Sequence, residues 1–375
     1  MHRFHSLRWR TASVTLLGAT ILGGMLAGCG AGSTTTAPGS AAKGCMKVGV
    51  LLPESDTSAR WEGEDHPLLD KYITQALPGV HIDYNNANNN ADTQQSQAEA
   101  DLTKGDCILV LAPQDAQKSA KIVDDARKDG VPVIAYDRLV QDSNLAFYVS
   151  FDNVQVGKLQ GQYIADHYSA YANGGVPNMV MINGSQTDNN AVLFKKGAHD
   201  ALDSLISGGK IKLVAETFTP DWNNATAQTE MEGYLTSNSN NIQIAYVAND
   251  GMAGTVIQAL KAQNLAGKVL VTGQDATVQG FQNILMGYQS MTVYKAISKE
   301  ASATAQLVAA LSKGNSTSSL TNGTTATTTG GSIPSVLEVP VAVDKTNITS
   351  TVLADGFVTK AEICQGIPAG TDGIC

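Results

Sequence analysis

Apolar residues in this chain fall into short β-branched runs separated by longer stretches in which they recur every three or four positions. A first set of runs lies at 47–52, 81–84, 108–112, 133–136 and 147–151. The rhythm restarts at 179–182, 211–218, 244–247, 269–272 and 291–293. Helical periodicity fills the gaps, as at 114–128, where Gly130 and Pro132 supply the stop. Strands alternating with helices predict βαβ units and parallel sheets. Two such sets predict an α/β fold of two similar, doubly wound lobes. A further helix is predicted at 296–313. The segment 314–332 is rich in Ser, Thr, Gly and Asn and has no apolar period, so it reads as a surface loop. A strand at 336–343 and a short tail finish the chain.

Residues 1–28 form a segment of another kind. Arg3, Arg8 and Arg10, with no acid among them, precede an apolar run at 12–26. That run is shorter than the roughly 20 residues a membrane span needs. It closes on Leu26-Ala-Gly-Cys29, which resembles a bacterial lipobox: small residues admit a signal peptidase, and the Cys29 thiol takes the lipid. The expectation is a lipoprotein signal peptide over 1–28, then lipidated Cys29 and a flexible Gly/Ser/Thr/Ala linker over 29–44. Two or more acyl chains are what stable anchoring requires. The expected location is extracytoplasmic, lipid-anchored to the cell membrane.

Processing changes the charge and the cysteine count. The full chain has 25 basic and 34 acidic residues, and losing three arginines takes its net charge from −9 to −12. Such acidity argues against nucleic acid and against docking on an anionic bilayer through basic patches. About 330 remaining residues, in a chain that is 43% hydrophobic overall, suffice for two cores. Four cysteines are left, an even number in an exported chain, which suggests disulfides. Cys45 opens the first run and Cys107 the third, so a bridge is possible if those strands are parallel neighbours. Cys364 and Cys375 would close a short C-terminal loop. A metal site and free thiols are the alternatives, and the absence of any Cys-x-x-Cys or nearby histidine pair speaks against metal.

Several segments carry more than composition. They are Ser58-Ala-Arg-Trp61, Ala135-Tyr-Asp-Arg138, Phe147-Tyr-Val-Ser-Phe-Asp-Asn153, Asp188-Asn-Asn-Ala-Val-Leu-Phe194, Asp221-Trp222, Ala248-Asn-Asp250, Gly273-Gln-Asp-Ala276 and Met291-Thr-Val-Tyr-Lys295. In this order they resemble the periplasmic type I sugar-binding proteins of ABC transporters, and within that class the xylose-binding branch. The resemblance spans about 46–358. It implies a monomer of two lobes, 45–152 with 294–338 and 153–293 with 339–375, joined by a three-strand hinge. It also implies capture of a monosaccharide, D-xylose foremost with glucose, galactose or arabinose behind it, and delivery to an ABC permease. A sensor feeding chemotaxis or a histidine kinase would share this plan. One departure is the stretch Asp56-Thr-Ser-Ala-Arg60, less charged before its arginine than is usual in the family.

The residues themselves suit that ligand class. Arg60, Trp61, Asp137, Arg138, Asp188, Asn190, Trp222, Asn249, Asp275 and Lys295 nearly all fall just after a predicted strand, where open α/β sheets bind ligands. A pyranose edge wants planar, multidentate partners, namely carboxylates, guanidinium groups, ammonium groups and amides. Its C–H faces want aromatic planes, and Trp61 and Trp222 are the only tryptophans after the signal segment. Each has a plainer alternative: core for Trp61, helix caps for Asp188, Asn190, Asn249 and Asp275, a surface pair for Asp137 and Arg138, a solvated charge for Lys295.

Enzymes fit poorly. The chain has no Gly-x-x-x-x-Gly-Lys-Ser/Thr and no Gly-x-Ser-x-Gly. His66, His81, His167 and His199 are scattered, and no cofactor or metal is expected. Asp137 and Asp275 could mimic a glycosidase pair, but neighbouring Arg138 and Lys295 would keep both ionised. A lac-repressor-type regulator would need an N-terminal helix-turn-helix in place of the signal segment.

Overall fold

The computed structural model describes residues 42–375; the signal segment, Cys29 and the linker up to 41 lie outside the described residues. The first run builds β1 (Lys47–Leu52), α1 (His66–Ala76), β2 (His81–Asn86), α2 (Ala91–Lys104), β3 (Ile108–Leu111), α3 (Ala120–Lys128), β4 (Val133–Tyr136) and β5 (Phe147–Phe151). The second builds α4 (Asn153–Tyr171), β6 (Asn178–Asn183), α5 (Asn189–Ser207), β7 (Lys212–Phe218), α6 (Asn224–Ser237), β8 (Ile244–Val247), α7 (Asp250–Ala262), β9 (Leu270–Val271) and α8 (Val278–Leu285). Then come β10 (Thr292–Tyr294), α9 (Ile297–Lys313), β11 (Gly323–Ala326), β12 (Ser332–Glu338), β13 (Val341–Val343) and α10 (Lys360–Ile363).

Two parallel sheets result, ordered β11-β12-β5-β4-β3-β1-β2 and β7-β6-β8-β9, with only β11 antiparallel to its neighbour. Every residue of β3, β4 and β8 is buried, as expected of apolar runs covered by helices on both faces. In each sheet the strand order reverses at one point, between β1 and β3 and between β6 and β8. Such a reversal opens the crevice where α/β sheets take ligands. The chain leaves the first sheet after β5, returns through β10 into α9, and leaves again from β12 into β13. The short β10–β13 ladder is antiparallel. Among the described residues, no helix is long and apolar enough to cross a membrane.

Four local expectations are corrected. The helix expected from 114 begins only at Ala120, because Asp115 Oδ1 accepts from the backbone N–H groups of Gln117 and Lys118 and holds that stretch in turns. The run at 291–293 joins the hinge ladder and not the second sheet. The expected loop 314–332 contains β11, an exposed polar edge strand held by its ladder and by Ser335 Oγ donating to Thr325 Oγ1 at 2.9 Å. The strand expected at 336–343 is broken at Val339-Pro340, since proline cannot donate to a ladder; β12 pairs with β5 and β13 with β10.

Cys45 and Cys107 form a disulfide across the starts of the neighbouring strands β1 and β3, with Cα atoms 5.6 Å apart. Cys364 and Cys375 form a second, with a Cα separation of 5.4 Å. The turn before Cys45 is already part of the fold, since Ala42 is buried and Gly44 N–H donates to the Ser312 carbonyl. In the second lobe α4 and α5 touch backbone to backbone. A Cβ on Gly157 would lie 1.8 Å from the Phe194 carbonyl oxygen, and one on Gly197 would lie 1.9 Å from that of Val154. Only glycine admits this approach, and it fixes the first turns of α5.

Candidate ligand-binding site

The carboxyl ends of both sheets face one cavity, narrowed to about 20 Å³ of open room. All ten candidate residues line it. Arg60 and Trp61 follow β1, with Trp61 opening a π-helical turn of the kind common at functional sites. Asp137 and Arg138 follow β4, Asp188 and Asn190 follow β6, and Trp222 follows β7. Asn249, Asp275 and Lys295 follow β8, β9 and β10. Two lining residues, Ser58 and Phe194, were not among the candidates. Phe194 stands one helical turn after Asn190, so the i,i+4 spacing could have revealed it.

Asp137 is the hub. Its Oδ2 accepts from Arg60 Nη1 at 2.8 Å and lies 3.5 Å from Lys295 Nζ, and its Oδ1 accepts from Asn190 Nδ2 at 3.1 Å. Its backbone is left-handed, with φ 56°. Its carbonyl oxygen accepts from Ser150 Oγ at 2.6 Å and Tyr148 Oη at 3.0 Å, which fixes that turn. Burial pushes the carboxyl up, but Arg60, Lys295 and Arg138 outweigh it and hold the group down at about 2. Arg60 spends four of its five N–H groups inside the protein, on both oxygens of Asp65, on Glu300 and on Asp137. Lys295, 3% exposed, also lies 3.5 Å from Asp275 Oδ1 and so ties the two lobes' carboxylates together.

In the second lobe Asp188 caps α5, accepts from Trp222 Nε1 at 3.1 Å and forms an ion pair with Arg138, whose Nε lies 2.9 Å away. Capping and site contact are thus the same residue's work. Asn249 spends Oδ1 capping α7, so its amide N–H groups are what it can offer a ligand. Trp222 meets Phe194 edge-on, ring centres 6.3 Å apart. The Arg60 and Arg138 guanidinium groups lie 4.7 Å and 5.1 Å from the Trp61 ring centre. Trp61 Nε1 and Asp275 Oδ1 are buried with no hydrogen-bond partner among the described residues. A buried donor and a buried acceptor left over in one cavity are what a hydroxylated ligand satisfies.

Residues 49–316 match the family described as "Periplasmic binding protein domain". This chain belongs to the periplasmic binding protein family. Two curated relatives are called "D-xylose-binding periplasmic protein". That of Haemophilus influenzae is 37% identical, over 88% of this chain and 96% of that protein. That of Escherichia coli K12 is 38% identical, over 85% and 92%. A solved ABC transporter solute-binding protein from Clostridium phytofermentans with bound β-D-glucose superposes with a TM-score of 0.76 at 31% identity, covering 84% of this chain and 99% of that one.

In this periplasmic binding protein one segment of the site has a buried prop that the candidate set lacked. Asp250, 1% exposed, accepts from Thr277 N–H at 2.9 Å, Gln289 Nε2 at 2.7 Å and Thr292 Oγ1 at 2.9 Å, beneath the segment carrying Asp275. Burial pushes its carboxyl up to about 7, against the pull of those hydrogen bonds. A raised acid keeps its proton in the folded state after the unfolded chain has lost it. Folding stability therefore falls as pH rises from about 4 to about 7 and levels off above, by at most about 1.4 kcal/mol per pH unit. Urea unfolding at pH 5, 6 and 7 should show that slope in the wild type and a flatter one in Asp250→Asn. Parallel slopes would refute the assignment.

Proposed function

We propose that this chain is the extracytoplasmic receptor of an ABC sugar importer and that its cargo is an aldopentose, D-xylose foremost. The observation that carries the reading is the pairing, in one cavity between two lobes, of charged and amide edge groups with aromatic planes. Asp137, Asp275, Asn190, Asn249, Arg138 and Lys295 suit a ring of hydroxyls, and Trp222, Trp61 and Phe194 suit its C–H faces. Contacts from both lobes favour closure, because a ligand shifts an equilibrium only by its differential affinity for the two states. The closing bodies are taken as 45–152 with 294–338 and 153–293 with 339–375. Two relatives named for D-xylose support the pentose, while the bound β-D-glucose in the solved relative favours a hexose as the second reading.

The test is calorimetry with xylose, arabinose, glucose and galactose. Xylose is expected to bind tightest. Tighter glucose binding replaces the cargo, and no heat from any aldose removes the sugar reading. Anchoring through Cys29 belongs to the same proposal: the full-length chain expressed in bacteria should partition with membranes, and Cys29→Ser should release it.

A further inference from the structure

Some contacts between the lobes involve no cavity residue. The Ala116 N–H of the first lobe donates to the Thr187 carbonyl of the second at 2.9 Å. Beside it, Gln141 Nε2 in the β4–β5 loop donates to Asn189 Oδ1, the first residue of α5, at 2.9 Å. None of the four lines the cavity. Gln141 is 4% exposed and joins both contacts, because its own N–H donates to the Ala116 carbonyl at 2.8 Å. Its side-chain oxygen accepts from Thr328 N–H at 2.8 Å, in the turn between β11 and β12. That hairpin lies in the segment whose sequence showed no apolar period, and it ties down the amide that reaches across the cleft.

We propose that Gln141 is an affinity-setting positioning residue, latching the lobes through Asn189 and the Ala116–Thr187 contact without touching the ligand. The proposal rests on the sugar-binding reading above. A group that never meets the sugar changes affinity only through the fraction of molecules in the binding-competent, closed arrangement, and every ligand's dissociation constant is divided by that same fraction. A pocket residue, in contrast, changes the ratio between sugars.

Gln141→Leu keeps the size and loses the bonds. It should weaken xylose and glucose by one common factor, about 3- to 10-fold given the usual worth of a hydrogen bond. Asn189→Ala, whose replaced side chain makes no other hydrogen bond among the described residues, should do the same from the opposite lobe and carries the test if the leucine variant fails to fold. The double variant should be no weaker than either single one. Unchanged dissociation constants, or a shifted xylose-to-glucose ratio, would overturn the latch. Both are read against the wild type's own binding, so a wild type that binds neither sugar counts against the functional reading and is told apart from a failed latch.

Discussion

Asp137→Asn gives a folded protein that binds its sugar at least about a hundredfold more weakly than the wild type, close to 2.7 kcal/mol. The carboxylate is held at about 2, so it is ionised wherever the protein works, and both its oxygens are engaged by Arg60, Lys295 and Asn190. Asparagine keeps the shape and tolerates φ 56° better than alanine would. It leaves two buried cations facing a neutral amide, and breaking a buried pair costs about 3–5 kcal/mol. Part of that cost falls on folding, through Arg60. The part through Lys295 and Asn190, which tie Asp137 to the hinge and the second lobe, falls on closure and binding. Calorimetry and urea unfolding separate the two, and a loss under tenfold would sink the idea. In the folded protein this carboxyl stays ionised until the pH falls toward about 2. The Asp137 contribution to affinity is therefore flat from pH 8 to about 4.

Gly184→Ala should cost about as much affinity as Trp222→Ala, roughly thirtyfold, or about 2 kcal/mol, the size of an aromatic hot spot. A Cβ on Gly184 would lie 2.2 Å from Trp222 Cη2 and 2.3 Å from Cζ2 and Cζ3. The ring must move, yet its Nε1 is bonded to Asp188 and its edge rests on Phe194. Its backbone, like that of Asp221, is left-handed, with φ values of 56° and 53°. A methyl group far smaller than the ring thus removes the aromatic plane from the cavity while Trp222 stays in the chain. Quenching of tryptophan fluorescence by sugar should shrink to the share that Trp61 gives. Wild-type affinity in Gly184→Ala would show that the plane is not needed.

What could be read in advance follows from range. β1, β4, β5 and β8 begin and end where their apolar runs do, because full burial makes each run a direct print of the strand. The site was visible for a related reason: charged and aromatic residues directly after such runs stand at the crevice. β11 was not visible, since its Gly-Thr-Thr-Ala is held by ladder bonds and no burial pattern marks it. Glu300, Asp65, Asp250, Gly184 and Gln141 were equally silent. Each acts through a contact that only the folded chain creates, such as Glu300 in α9 reaching Arg60 after β1.

The strand β12 lies beside β5, with Val336 opposite Val149, although the whole second sheet is built between them in sequence. A chain emerging from its N-terminus therefore presents β5 as a bare edge until nearly all of it has appeared, and bare edges invite mispairing. Closing such a distant pairing is slow. The first lobe cannot be finished before the second has been made. Truncation short of residue 338 should leave neither a receptor nor a clean half of one, and the interval before this last pairing is when the β5 edge stands open to mispairing.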